Sequence, residues 1–246
     1  MIASRLGYSI FMLLAAIAAA SILRRSQGGL GLTPGDRWTL AISGLVGATL
    51  AAKLPFWVFA QTASPALVSL PGSAWLADGK TILWALAGGY GGVELGKWML
   101  EIRVRTGDTF VVAVAVAVAI GRLGCLTYGC CHGAPSDLPW AMTFEIAEDG
   151  GTVTRHPTQV YESIFHFSFA LLAAWAIRRR IMVGDWMPIY LAGYAAYRFA
   201  SEWLRTEQRV WAGMTFYQLS AIPIAAIMIG IVMRRQITCR RQATVG

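Results

Sequence analysis

The sequence predicts an all-α integral membrane protein with seven transmembrane helices, and three observations support this fold class. Of the 246 residues, 56% are hydrophobic and 14% are charged, against about 45–50% and about 25% in soluble domains. Several apolar segments reach about 20 residues, the length that crosses a hydrocarbon core of about 30 Å. Loops rich in basic residues also alternate with loops that contain few of them. The composition excludes a disordered chain, a disulfide-rich scaffold and a soluble dinucleotide-binding fold.

Seven apolar segments define the predicted spans, and residues 1–246 are predicted to form a single transmembrane domain. The first apolar segment has a second interpretation, a cleaved signal peptide. Against it, Arg24 and Arg25 follow the segment, whereas a signal sequence has its basic residues in front. We therefore expect this segment to be the first span. The predicted spans are 7–23, 38–60, 81–100, 109–124, 159–177, 185–203 and 214–233.

The net charge of +8 is compatible with a nucleic-acid partner, but the distribution of the basic residues indicates membrane topology instead, and we expect no nucleic-acid partner. Twelve of the 21 lysines and arginines are arginines clustered in four alternate loops. The positive-inside rule places those loops in the cytoplasm, with the N-terminus outside and the C-terminus inside. We therefore expect a multi-pass protein of the inner (plasma) membrane. The four basic segments are 24–37, 101–108, 178–184 and 234–246.

The loop region 125–158 is expected to lie on the outer side of the membrane. It contains three prolines and four acidic residues, which are uncommon within spans. Residues 142–144 and 152–154 flank a Glu-Asp-Gly-Gly turn at 148–151. This pattern predicts a short β-hairpin.

Ionisable residues inside predicted spans are functional candidates, because a charge there costs several kcal/mol. Arg122 ends the fourth span, and Arg198 and Glu202 lie four positions apart in the sixth. Two arginines facing a cavity favour an anionic headgroup such as a phosphate. The alternative is internal charge pairing, of Arg198 with Glu202 and of Glu94 with Lys97.

Four motifs occur in an order that resembles the prolipoprotein diacylglyceryl transferase family. Gly-Arg-Leu-Gly closes a span at 121–124, and Pro-Ser-Asp-Leu-Pro-Trp follows at 135–140. Arg-His-Pro-Thr-Gln-Val-Tyr-Glu opens the next span at 155–162. The fourth motif, at 193–205, is Gly-Tyr-x-x-x-Arg-x-x-x-Glu-x-x-Arg. The motif residues expected to have structural roles are Gly121, Gly124, Gly129, His156, Gln159, Tyr161 and Glu162.

The resemblance implies transfer of a diacylglyceryl group from phosphatidylglycerol to the cysteine thiol of a lipoprotein precursor, without a cofactor. The site is implied to face the outer side of the membrane. Cations facing the phosphate stabilise the charge that develops on the departing glycerophosphate. Tyr194 and Glu202 match family positions lining this cavity, and we expect them to be catalytic. The implied headgroup-binding residues are Arg122, Arg198, Tyr8 and Arg205.

The sequence departs from the family pattern on the side that activates the acceptor. Where the family has a His-Gly-Gly stretch, whose histidine is the favoured base, this chain has Ala87-Gly-Gly. Where the family has two asparagines and a glutamate, this chain has Cys125, Tyr128 and Cys130. We therefore expect an acceptor that differs from the usual one. The alternative function is a non-catalytic lipid-binding or lipid-handling protein that keeps the headgroup site.

The segment containing Cys125, Cys130, Cys131 and His132 allows four interpretations. Cys130 is a catalytic nucleophile if the neighbouring His132 deprotonates it. Cys125 and Cys130 form a disulfide if the compartment is oxidising. A metal site is the third interpretation, but the spacing lacks the second ligand pair of a usual zinc site, and we expect no metal. The fourth interpretation is that the thiols pack a tight turn.

The position of Cys130 relative to Arg122 depends on the turn between them. Gly124 and Gly129 are predicted to form that turn, because glycine permits the required backbone angles. Cys130 would then lie beside Arg122. His156 and His166 are the other candidate bases, although His156 is expected to order the loop by hydrogen bonding.

Overall fold

A computed structural model describes residues 5–63, 81–145, 151–207 and 209–245, and within them seven α-helices correspond one to one to the predicted spans. The helices are α1 Arg5–Ser26, α2 Pro34–Ala63, α3 Ile82–Met99, α4 Gly107–Tyr128, α5 Thr158–Arg178, α6 Trp186–Ser201 and α7 Phe216–Val245. A short 3-10 helix, Glu202–Leu204, follows α6. The chain forms two compact units: Leu30–Val104 is one, and Met1–Gly29 with Arg105–Gly246 is the other.

Five of the described helices are long and apolar enough to cross a membrane. They are α1, the Pro34–Pro55 part of α2, α4, α5 and the Phe216–Cys239 part of α7. The other two are more polar or shorter, because α3 contains Glu94 and Lys97 and α6 has 16 residues. The protein is therefore an α-helical membrane protein. The count of seven spans and the outside position of the N-terminus stay predictions.

In the Leu30–Val104 unit, α2 and α3 pack through glycines. A Cβ added to Gly88 would overlap the Cβ of Ala51 and the backbone of Gly47, and one added to Gly92 would overlap the Ser43 carbonyl. Small residues of this kind allow two helix backbones to approach closely. Gly88 and Gly92 therefore serve the contact between these helices.

Polar contacts in the same unit fix the start of α2 and neutralise the charges of α3. The Thr33 hydroxyl accepts a hydrogen bond from the backbone N–H of Asp36, whose carboxylate accepts one from the Thr33 N–H, which is a capping-box arrangement. Lys97 and Glu94 form an ion pair at 3.2 Å, as the charge-pairing interpretation predicts.

In the other unit, α4 is the central helix and packs against α1, α5 and α6, while α7 packs against α6. Glycines on α4 make room for α1, since a Cβ added to Gly124 would lie 3.0 Å from the Cβ of Phe11. At the contact between α4 and α5, the Ser163 hydroxyl of α5 donates to the Ala119 carbonyl of α4 at 2.9 Å. These contacts fix the end of α4 that contains Arg122.

Helix α4 is one turn longer than predicted, and this corrects the position of the turn. It continues to Tyr128 and ends at Gly129, which is left-handed with φ +78°. The prediction that Gly124 forms part of the turn is wrong: Gly124 lies inside α4, where its missing side chain admits α1. The second left-handed residue of the turn is Cys131, with φ +63°.

Two antiparallel strand pairs occur in the described residues outside the helices. Strand β1, Met142–Glu145, pairs with β2, Thr152–Arg155, with Met142 opposite Arg155. The predicted turn between these strands falls largely on 146–150, which lie outside the described residues. Strands β3, Arg209–Trp211, and β4, Met214–Thr215, form the second pair.

The start of α6 is fixed by a half-buried acidic side chain of α4. Both carboxylate oxygens of Asp108 accept backbone hydrogen bonds, from Gly184 at 2.6 Å and from Trp186 at 3.1 Å. These N–H groups have no partner within the helix, so the carboxylate satisfies them. The contact sets the register of α6, and with it the positions of Tyr194 and Arg198.

Candidate active site

A buried carboxylate joins three helices of the larger unit. Glu162, in the second turn of α5, is 1% exposed and forms an ion pair with Arg122 of α4, with 2.6 Å between Oε1 and Nη2. Arg122 is itself only 7% exposed. The hydroxyl of Tyr194, from α6, donates to the same glutamate oxygen. We call Arg122, Glu162 and Tyr194 the carboxylate centre.

A buried histidine extends this centre along α5. His166 lies one turn after Glu162, with 3.9 Å between its Nε2 and Oε1 of Glu162. The hydroxyl of Tyr190 lies 2.8 Å from Nδ1 of His166 and orients the imidazole. Nε2 has no hydrogen-bond partner among the described residues. The imidazole therefore lies fully buried against the carboxylate of Glu162.

The second arginine lies one turn after Tyr194 on α6. Arg198 forms an ion pair with Glu202 at 3.0 Å, as the charge-pairing interpretation predicts, and its guanidinium lies 4.7 Å from the centroid of the Tyr217 ring. It is also close enough to Arg122 and Glu162 to interact with both electrostatically. The structure therefore brings two buried arginines into one region, each neutralised by a buried glutamate.

The three cysteines of the 125–131 segment converge at the end of α4. Their Sγ atoms all lie within 4.8 Å of one another. Hydrogen bonding with the Cys125 and Cys130 side chains, together with the Arg122 and Arg205 cations, lowers the pKa of Cys131. Hydrogen bonding with Cys125 and Cys131 raises the pKa of Cys130. The three sulfurs therefore form one coupled cluster beside two arginines.

His132 faces a different neighbour from the thiols. Its ring lies 5.1 Å from that of Phe144 on β1, and burial, reinforced by the Arg155 cation, lowers its pKa. Among the described residues, the converging ligand-type atoms at this segment belong to the cysteines alone. The nucleophilic role of Cys130 with His132 stays a prediction.

Two predicted headgroup residues lie at the cysteine segment. Arg205 donates to the Cys131 carbonyl at 3.4 Å and to the Thr158 hydroxyl at 3.5 Å. Tyr8 of α1 packs its ring 5.7 Å from that of Tyr128, and its phenol interacts electrostatically with all three cysteines. Tyr8 and Arg205 therefore border the thiols, and their binding of a headgroup stays a prediction.

The remaining motif residues hold the loop and the thiols in place. Gln159 donates from Nε2 to the Cys130 carbonyl at 2.5 Å. The Tyr161 hydroxyl accepts from Trp140 Nε1 at 2.8 Å and lies 3.4 Å from His156 Nδ1. These contacts agree with the expectation that His156 orders the loop.

The pairing of Glu162 with Arg122 escaped the sequence interpretation, which gave Glu162 only a structural role. The two residues are 40 positions apart on different helices, so no helical spacing relates them. The available signal was an acid directly after the His-Pro-Thr-Gln-Val-Tyr motif at the start of an apolar helix. Ala87, which stands where the family has its favoured base, lies half-buried on α3 in the Leu30–Val104 unit.

The fold and this site define an α-helical membrane protein with a buried arginine–glutamate network. The sequence profile of the prolipoprotein diacylglyceryl transferase family matches residues 6–234, and the chain belongs to this family of transferases. No solved structure matches the chain.

Curated relatives carry the name phosphatidylglycerol–prolipoprotein diacylglyceryl transferase. The protein of this name from Clostridium tetani is 29% identical over 233 residues, which cover 92% of this chain and 90% of that protein. The second transferase of Clostridium perfringens is 34% identical over 145 residues, covering 56% and 54% of the two chains. The Streptomyces griseus protein is 36% identical over 129 residues, covering 48% and 39%.

Proposed function

We propose that this protein is a transferase that moves a diacylglyceryl group from an anionic phospholipid, phosphatidylglycerol, to a thiol acceptor. The acceptor is the cysteine of a lipoprotein precursor or another thiol. The observation that carries the proposal is the pair of buried arginines, Arg122 and Arg198, brought together from two helices beside Glu162. Arginines within membrane-spanning segments are rare and mark functional sites, so two in one region support a site for an anionic ligand.

The reaction is a displacement at the carbon of the diacylglycerol moiety that is bonded to the phosphate oxygen. The acceptor sulfur forms a C–S bond to that carbon while its C–O bond to phosphate breaks. The bonding electron pair leaves with the glycerophosphate, and the thiol proton goes to a base. Arginines facing the phosphate stabilise the charge that develops on the leaving oxygen.

Arg122 keeps a donor for the phosphate although it is paired with Glu162. Nε of Arg122 is buried and has no hydrogen-bond partner among the described residues. A planar guanidinium presents its donors as a fork that matches two phosphate oxygens. An arriving phosphate therefore competes with Glu162 for Arg122, while Tyr194 remains available to donate to either anion.

We place the enzyme in the inner membrane with its site open to the outer face. The arginine-rich segments support this orientation, because the positive-inside rule assigns them to the cytoplasm. The cysteine segment and Arg205 are then on the outer side, where a lipoprotein precursor presents its thiol.

Purified protein in vesicles of phosphatidylglycerol labelled in its headgroup glycerol tests the proposal. Thiol acceptors are supplied in turn, a cysteine-containing peptide among them. With the acceptor that reacts, we expect release of labelled, water-soluble glycerophosphate together with a thioether-linked diacylglyceryl product. Arg122→Ala and Arg198→Ala should each lower the rate by about 10–150-fold, because a charge-assisted hydrogen bond contributes about 1.5–3 kcal/mol. Arg209→Ala, a change of an exposed arginine on β3, is the matched control and should keep the wild-type rate.

Two outcomes would overturn the proposal. Equal rates in Arg122→Ala, Arg198→Ala and the wild type would show that these arginines take no part in the reaction. Tight binding of phosphatidylglycerol without any release of glycerophosphate, for every thiol acceptor supplied, would instead establish the non-catalytic lipid-binding alternative.

A further inference from the structure

The cysteine segment has a geometry that the transfer reaction leaves unexplained. Cys125 lies in the last turn of α4, and Cys130 and Cys131 follow its left-handed cap at Gly129. The backbone of Cys131 is itself left-handed, with φ +63°, a region that residues other than glycine rarely adopt. As a result the three Sγ atoms lie within 4.8 Å of one another.

Neighbouring elements hold this arrangement rigidly. The Cys130 carbonyl accepts from Gln159 at 2.5 Å, and the Cys131 carbonyl accepts from the Thr158 hydroxyl at 2.7 Å. Just beyond, Gly133 is packed so tightly that an added Cβ would lie 2.8 Å from side-chain atoms of both His156 and Thr158. The sulfurs are therefore positioned before any ligand arrives, which lowers the entropic cost of binding one.

Three converging thiols suit a soft metal ion. Thiolate ligands select ions such as Cu(I), whereas a structural zinc site is closed by four ligands. A trigonal complex with metal–sulfur bonds of about 2.3 Å separates its sulfurs by about 4.0 Å. Because the sulfurs already lie within 4.8 Å of one another, the side chains need to move inward by less than about 1 Å.

The charges around the cluster also fit a metal–thiolate complex. Three thiolates with one monovalent ion have a net charge of −2, and the Arg122 and Arg205 cations both interact with the Cys131 sulfur. These two guanidinium cations therefore offset the negative charge of the complex.

We propose that Cys125, Cys130 and Cys131 form a binding site for one soft metal ion, with Cu(I) as the best-suited ion. This site goes beyond the transferase function and does not depend on it. A metal bound by all three sulfurs occupies the lone pairs that a nucleophile needs. Metal binding and the nucleophilic role predicted for Cys130 therefore exclude each other in the same molecule.

The experiment titrates reduced, metal-free, full-length protein with Cu(I) under anaerobic conditions against a chromophoric Cu(I) chelator. We expect one Cu(I) per chain, and X-ray absorption should show three sulfur neighbours at about 2.3 Å. Single changes of Cys125, Cys130 or Cys131 to Ser should weaken binding by at least about 100-fold, the upper end of the loss for indirect contacts to a metal. Cys239→Ser, at an exposed cysteine far along α7, is the matched control and should bind as the wild type does.

Several results would overturn the metal site. They are failure of the wild type to bind Cu(I), wild-type affinity in the single-cysteine variants, or sulfur coordination lost in Cys239→Ser. Alkylation of native membranes without reductant provides a further check, since a Cys125–Cys130 disulfide would leave both sulfurs unmodified and would replace the metal site by a redox pair. The absorption measurement needs only the wild type, so a variant that fails to fold does not decide the result.

Discussion

Replacing Glu162 by glutamine is expected to make the protein less stable and, at the same time, a better binder of anionic lipid. The glutamate accepts from Arg122 and from Tyr194 at one oxygen and is 1% exposed. Glutamine keeps the shape and an accepting carbonyl but removes the negative charge. Arg122 is then a buried cation that has lost its counter-ion.

The magnitude follows from that unpaired charge. Removing one partner of a buried ion pair costs about 3–5 kcal/mol, and the remaining amide contacts place Glu162→Gln near the lower end of that range. At about 2–4 °C per kcal/mol for a chain of this size, we expect the melting temperature in lipid-free detergent to fall by about 6–12 °C. Phosphatidylglycerol no longer competes with a carboxylate for Arg122, so its affinity should rise by about tenfold or more.

The assay is a thermal melt of the detergent-solubilised protein with and without phosphatidylglycerol. Glu145→Gln is the matched control, because Glu145 is an exposed carboxylate on β1 of the same unit. The variant should begin lower than the wild type and gain more from the lipid, whereas Glu145→Gln should behave as the wild type. An unchanged melting temperature together with an unchanged lipid response would refute the competition between Glu162 and the phosphate.

Three further predictions concern the other unit, the base and the topology. Gly88→Ala should destabilise the α2–α3 pair by about 1–3 kcal/mol, because the new Cβ overlaps α2, whereas Gly91→Ala on the same helix meets no atom within 4 Å and should be neutral or slightly stabilising in the same melt. The wild type should fail to restore lipoprotein diacylglyceration in cells depleted of their usual transferase, because Ala87 stands in the place of the family's favoured base and cannot accept the thiol proton. Full rescue would mean that another residue is the base. Reporters fused after Arg105 should report a cytoplasmic position and those near Gly79 an external one, and the opposite pattern would invert the proposed orientation.

The helices could be predicted from the sequence because each is an apolar segment bounded by charged or turn-forming residues. The end of α4 was misplaced because Gly124 has the residue type of a turn, while its actual role is to admit α1, a tertiary contact that no local pattern contains. The pairing of β1 with β2 could be predicted, since the two strands flank a turn sequence only a few residues long.

The site could be predicted only in part. The four-residue spacing of Arg198 and Glu202 predicted the second ion pair, because residues four apart share a helix face. The pair forms although Glu202 already belongs to the 3-10 helix that follows α6. The pairing of Arg122 with Glu162 joins two helices and depends on how they pack. The convergence of the cysteines depends on the left-handed backbone of Cys131, which its residue type disfavours.

The most direct test of the central claim, that buried arginines hold the phosphate of an anionic phospholipid, is a comparison of lipid affinities by native mass spectrometry. Phosphatidylglycerol is titrated against phosphatidylcholine for the wild type, Arg122→Ala, Arg198→Ala and the exposed control Arg209→Ala. We predict that the wild type and Arg209→Ala prefer phosphatidylglycerol and that each buried-arginine variant loses about 10–150-fold of that preference. Retention of the full preference in both buried-arginine variants would contradict the account.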